Sequence, residues 1–174
     1  MRKYLQQSIA GYSIVETLIY LGLFVLISAV AINALLNVVK IFPDIRSNRD
    51  LLDSGYTAME RMTREIRGAV SIDTANSTLG TSPGVLQLNT LDSNGSAKTV
   101  KFTTSGNVLK LYENGVLSGN LIGQNTTVSS LTFTQITTTR GTKAVKIAMT
   151  LSDSRSRTPL LKDFYDTIIL RDTY

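Results

Sequence analysis

The chain contains no cysteine, no histidine and no tryptophan among its 174 residues, and only three prolines. Without cysteine it can form neither a disulfide bond nor a thiolate metal site, so its stability must come from packing. Without histidine it lacks the commonest general base and the commonest zinc ligand, which excludes the usual nucleophilic triads and most zinc sites. The stretch from Asp92 to Gly95 has the composition of a β-turn and lacks the ligands that would complete a calcium loop. We therefore expect no enzymatic activity, no cofactor and no metal site.

Charge is missing from a long segment near the start of the chain. The 23 residues from Thr17 to Val39 include no charged side chain, which is enough to cross a hydrocarbon core as a helix. Glu16 stands directly before this run, and a carboxylate inside a membrane span costs up to about 3 kcal/mol. The apolar run is longer than the 7–15 residues, roughly, of a secretory signal peptide. A plain signal anchor would account for the length of the run but not for Glu16.

The residues around this carboxylate form a recognisable pattern. A short leader with two cations, Arg2 and Lys3, ends in Gly11; Tyr12 follows, and Glu16 is the fifth residue counted from Tyr12. This arrangement resembles the class III signal of type IV pilins and type II secretion pseudopilins, in which a basic leader ending in glycine precedes a hydrophobic helix with glutamate at its fifth position. The match covers about 30 residues.

The resemblance implies how the chain is processed and divided. Residues 1–11 would be a leader removed by a prepilin peptidase, which cuts between Gly11 and Tyr12 and methylates the new amine of Tyr12. Residues 12–41 would be the transmembrane and assembly helix, and residues 42–174 an extracytoplasmic domain. In a filament, Glu16 would pair with the Tyr12 amine of a neighbouring subunit and fix the axial register.

The resemblance also implies partners and a location. The partners would be other pilin or pseudopilin subunits, the prepilin peptidase and an assembly platform in the membrane. The chain would be a single-pass protein of the cytoplasmic membrane with its bulk outside, and after assembly part of a pilus or pseudopilus. Without the leader it carries 16 basic and 13 acidic residues, a mild basic excess that is a weak hint at anionic partners. Nucleic acid is disfavoured as a partner but left open, because acidic residues are interleaved with the arginines.

After the apolar run, the pattern predicts a second helical stretch over residues 44–70. Pro43 predicts a kink or break near Ile41–Asp44, because proline removes a helical hydrogen bond. Apolar residues spaced by three and four predict one buried stripe: Leu52, Tyr56, Met59, Thr63, Ile66 and Val70. Oppositely charged residues spaced by four predict a solvated, salt-bridged face rather than a nucleic-acid surface: Arg46–Asp50, Arg49–Asp53, Glu60–Arg64 and Arg61–Glu65.

From Ser71 onwards, short alternating segments with glycine and asparagine turns predict an antiparallel meander. The Asn114-Gly115 pair is the strongest hairpin signal among them. The amphipathic helix and the strands each have one apolar face to bury, which predicts an α+β fold with the helix laid across an antiparallel sheet. This is also the fold that the resemblance implies.

Two further segments are similar to particular minor subunits. Residues 55–69 contain Met-Glu-Arg-Met-Thr-Arg-Glu-Ile-Arg, which resembles a stretch before the sheet of J-type minor pseudopilins and W-type minor pilins, and residues 164–171 are similar to their last strand. The resemblance thus implies a structural subunit, a minor pilin or pseudopilin. The alternative is a single-span, membrane-anchored β-rich binding domain that never polymerises. Cleavage after Gly11 would distinguish the two.

Overall fold

The computed structural model describes residues 13–139, 141–153, 155 and 160–170. One helix, α1, runs from Ile14 to Gly68 and is followed by eight strands. The strands are β1 Ser71–Ile72, β2 Leu86–Leu91, β3 Ala97–Ser105, β4 Val108–Glu113, β5 Val116–Asn120, β6 Thr126–Thr137, β7 Lys143–Asp153 and β8 Leu161–Ile169. The predicted α+β class is confirmed.

Of the predicted kink or break near Ile41–Asp44, the break is wrong, because α1 is continuous over 55 residues; the kink stays a prediction. Proline lacks its own N–H, so a helix that runs through it gives up one backbone hydrogen bond and keeps the others. The chain nevertheless divides at this point into two compact units, one ending at Phe42 and the other beginning at Pro43.

The strands of the second unit form two sheets instead of one. The first has the order β1-β2-β3-β4-β5 and the second the order β6-β7-β8, and every pairing within them is antiparallel. The edge of β6 is covered by the loop before β2, since the Gly80 and Gly84 amides donate to the carbonyl oxygens of Phe133 and Leu131 at 2.7 Å.

The predicted hairpin at Asn114-Gly115 is confirmed. It joins β4 to β5, and both residues have positive φ, 50° and 78°. Positive φ at both central positions is the geometry that matches the twist of the flanking strands in a two-residue hairpin loop. Asparagine and glycine adopt it at the lowest cost.

The second half of α1 packs into the core from Leu51 onwards, and Ala69, directly after the end of the helix, is buried with it. Met59 and Ile66 are buried as predicted, but Tyr56 is 66 % and Val70 41 % exposed, so their places in the stripe were wrong. Leu52 and Thr63 are half-buried at its margin. The buried face is rotated from the predicted one and contains Leu51, Gly55, Ala58, Met59, Met62, Ile66 and Ala69.

The helix enters one hydrophobic core with residues of both sheets. Phe102, Leu109, Phe133 and Ile147 are completely buried in it. Inward-facing residues alternate along the long strands, as in β7, where the side chains at every second position from 145 to 153 are buried. Burying both apolar faces against one another is what the period-2 and helical patterns require.

Candidate functional site

The first unit presents an apolar surface on every side of its helix. Its large hydrophobic side chains from Ile14 to Val39, together with Phe42, are between 50 % and 82 % exposed. In the part of the chain that the structure describes, α1 is the one helix long and apolar enough to cross a membrane, and none of its most apolar window is buried. A helix that is hydrophobic all round requires lipid or other apolar helices around it.

Glu16 lies in the first turn of α1, as the sequence places it. A negative charge there is favoured by the helix dipole and by the free N–H groups of that turn. The Tyr20 hydroxyl, one turn further along, donates to Glu16 Oε1 at 3.0 Å. The carboxylate is therefore already hydrogen-bonded within its own helix. Tyr20 was not among the predicted site residues, although its spacing of four residues from Glu16 is the spacing at which helical side chains meet.

Other polar side chains of the apolar segment are also bonded to their own helix. Thr17 Oγ1 donates to the Ile14 carbonyl oxygen at 2.8 Å, and the Asn33 amide donates to the Ala29 carbonyl oxygen at 2.9 Å. A polar group with no partner in lipid costs several kcal/mol, roughly, and these bonds remove that cost. Thr17 and Asn33 can thus lie in an apolar surrounding.

Gly11 and Tyr12, the two residues predicted to flank a cleavage site, lie outside the described residues. Of the three predicted site residues, only Glu16 is placed by the structure.

Several charged residues of the second unit form salt bridges within α1 and between α1 and the strands. Arg64 pairs with Glu60 and Arg61 with Glu65, both at 2.9 Å, as the sequence predicted. Arg61 also reaches Glu113 on β4 at 3.0 Å, and Lys98 meets that same carboxylate at 2.8 Å. The hydrogen bond from Lys98 and the nearby guanidinium lower the pKa of Glu113, although partial burial opposes this.

The other two predicted pairs, Arg46–Asp50 and Arg49–Asp53, are not formed. Asp50 pairs instead with Arg155, beyond the end of β7, and Arg155 also contacts Asp153 at 3.4 Å. Buried Asp153 accepts a hydrogen bond from the Ser47 hydroxyl. Burial raises the pKa of Asp153, but the hydrogen bonds from Ser47 and Arg155 outweigh it and the net pKa is lowered. This cluster ties the start of the helical part of the second unit to the end of β7.

The segment that resembles the J- and W-type minor subunits contributes hydrophobic core residues and salt-bridged residues. Met59, Met62 and Ile66 are core residues, and Arg61 and Glu65 belong to the charged network. The similar final segment contributes Phe164, whose ring lies against Gly55 of α1. Both segments are thus parts of one helix–sheet contact.

Among the described residues, no group of three or more carboxylates is placed to hold a metal ion. No family model, no curated protein and no solved structure matches this chain.

Proposed function

We propose that this chain is a structural subunit, a minor pilin or pseudopilin, that polymerises through its N-terminal helix into a type IV pilus-like filament or a secretion pseudopilus. The observation that carries the proposal is the apolar surface of residues 14–42, exposed on every side and interrupted by one carboxylate near its start. In a filament, the helices of neighbouring subunits would cover this surface. We propose, as part of the same function, that the α+β fold of this chain is a pilin fold.

Processing belongs to the proposal as well. The short polar leader abuts an intact membrane-length helix, and Gly11 has no side chain to obstruct a narrow protease subsite. Cleavage before Tyr12 by a prepilin peptidase, followed by methylation, would make Tyr12 the first residue and Glu16 the fifth residue of the mature chain. The other partners would be sibling subunits and a membrane assembly platform, and the second unit would lie outside the cytoplasmic membrane.

Glu16 is assigned the role of fixing the register between subunits. Apolar helices can slide past one another at little cost, because their contacts are not directional. A buried pair between Glu16 and the Tyr12 amine of a neighbour would favour one offset, even though desolvation offsets much of its attraction. Residues 17–39 would supply the packing.

The segment at residues 55–69 supports a J- or W-type minor subunit within this class. Its charged residues hold the helix to β4, and its small and apolar residues bury the helix. The alternative, an anchored binding domain that does not polymerise, would use the same apolar helix only as a membrane anchor. It gives Glu16 no role, and this difference makes the two functions separable by experiment.

Substitution of Glu16 by alanine tests the proposal. We expect Glu16→Ala to be inserted and cleaved normally, because it makes the span more apolar and lies beyond the scissile bond. Its incorporation into filaments should fall, as measured by the ratio of filament-associated to membrane-retained protein in sheared fractions of a host with the assembly machinery. Thr17→Ala is the matched control, since the Thr17 hydroxyl is bonded to its own helix. Normal incorporation of Glu16→Ala would show that the carboxylate does not fix the register.

A further inference from the structure

The contact between Tyr20 and Glu16 has no counterpart in the pattern that the sequence resemblance supplies. Tyr20 lies four residues after Glu16, and its hydroxyl donates to Glu16 Oε1 at 3.0 Å. Long side chains on a helix lean toward the N-terminus, over the turn that precedes them, which brings a residue at this spacing onto the earlier one. The described neighbours of Tyr20 in the sequence, Ile19 and Leu21, are apolar and can donate no such bond.

We infer that Tyr20 is a positioning residue for Glu16, which holds and satisfies the carboxylate while the subunit is a single chain in the bilayer. The inference rests on the proposed function only in placing Glu16 within a membrane and assigning it to assembly. Lipid offers no hydrogen-bond donors, so a carboxylate there needs one from the protein. Among the described residues, the Tyr20 hydroxyl provides it by donating to Oε1, so that a cation can approach the carboxylate at its second oxygen, Oε2.

The partner that this arrangement admits is a cationic amine arriving from outside the helix. A carboxylate accepts several hydrogen bonds, so the Tyr20 hydroxyl and an ammonium group can bind it together. Tyr20 therefore restricts the carboxylate to one side of the helix before the amine arrives. Without the hydroxyl, Glu16 would take other polar partners in the membrane.

A spectroscopic comparison tests the contact itself. The chain has four glutamates, so full-length protein with ¹³C-labelled glutamate carboxyls in detergent micelles gives a simple spectrum, in which Glu16→Ala identifies the Glu16 signal. We expect Tyr20→Phe to shift this signal, because it removes the hydroxyl and keeps the ring. Phe24→Tyr, which adds a hydroxyl one turn further on, should leave the signal in place. A Glu16 signal that does not move in Tyr20→Phe would overturn the inference.

A double-mutant comparison tests the consequence. The full chain is expressed without assembly genes, and its survival in the membrane is followed by pulse–chase. We expect exchange of Tyr20 and Phe24, which preserves composition, to lower survival about threefold when Glu16 is present. In the Glu16→Ala background the same exchange should have no such effect, because no carboxylate remains to be held. An equal effect in both backgrounds would show that Tyr20 does not act through Glu16.

Neither measurement requires a filament. If Glu16→Ala assembles normally while the Glu16 signal still responds to Tyr20→Phe, the proposed assembly role fails and the positioning contact stands. If assembly depends on Glu16 but the signal does not respond, the positioning role fails alone.

Discussion

Gly55 sets how closely α1 approaches the three-stranded sheet. A Cβ atom at this position would lie 2.0 Å from Cζ of the Phe164 ring, far inside van der Waals contact. The ring also meets Tyr56 edge-on, with the ring centroids 5.8 Å apart. Gly55 therefore belongs to the buried face although it has no side chain, and Tyr56 lies beside that face.

Gly55→Ala should destabilise the second unit. Alanine improves helix propensity by about 1 kcal/mol, but overpacking a well-filled core costs about 1–3 kcal/mol, and here the clash is with a buried ring. Urea unfolding of a fragment containing residues 44–174 measures the balance. Gly68→Ala, where a Cβ meets nothing within 4 Å, is the control and should be neutral or stabilising. A stabilised Gly55→Ala would mean that the ring moves aside freely.

Gly55 also explains why the buried stripe could be predicted only in part. Met59, Ile66, Tyr56 and Val70 all fit the spacing of a predicted apolar stripe. Met59 and Ile66 lie in the core, whereas Tyr56 and Val70 are exposed. Gly55 and Ala58 carry little apolar surface, so a pattern of large apolar residues passes over them. Which side of the helix faces the sheet depends on Phe164, more than 100 residues away.

At the scale of elements, the strands could be predicted better than their assembly. Alternation along β7 and the Asn114-Gly115 turn are local signals, and both are confirmed. The assembly of the strands instead involves long-range contacts, such as the hydrogen bonds from Gly80 and Gly84 to β6, which join residues about 50 positions apart. The hydrogen bond between Glu16 and Tyr20 could have been predicted from the sequence, because residues four apart meet on a helix surface.

The hydrogen bonds and ion pairs of Asp153, between α1 and the end of β7, predict how the stability of the second unit depends on pH. Asp153 has a lowered pKa in the folded chain, so its ionised form stabilises the fold above the usual carboxyl range, and this contribution is lost as the pH falls through the folded pKa. Asp153→Asn should destabilise the second unit by about 1–3 kcal/mol at pH 7, and by less at a pH below about 4. Urea unfolding at both pH values checks this.

Asp53→Asn, on the exposed side of α1, is the control for Asp153 and should change stability little at either pH. A loss for Asp153→Asn that is equally large at both pH values would mean that the hydrogen bonds matter but the charge does not.

At the scale of the whole molecule, the two units differ in what surrounds their apolar residues. The second unit buries its apolar faces within itself, whereas the first leaves its hydrophobic side chains exposed. Residues 44–174 should therefore be soluble, monomeric and folded when expressed alone, with helix and strand both visible by circular dichroism. Gel filtration and circular dichroism check this. An insoluble or unfolded fragment, when the full chain is folded, would contradict the packing of residues 51–69 on the sheets.

The assembly proposal depends on what happens at the start of the chain. Mass spectrometry of the N-terminus of the mature protein, from a host with a prepilin peptidase, is the most direct test. We predict a chain that begins with methylated Tyr12, and an uncut precursor in the membrane for Gly11→Glu. A mature chain that begins near Ala31, or one that keeps Met1 in that host, would contradict the proposal.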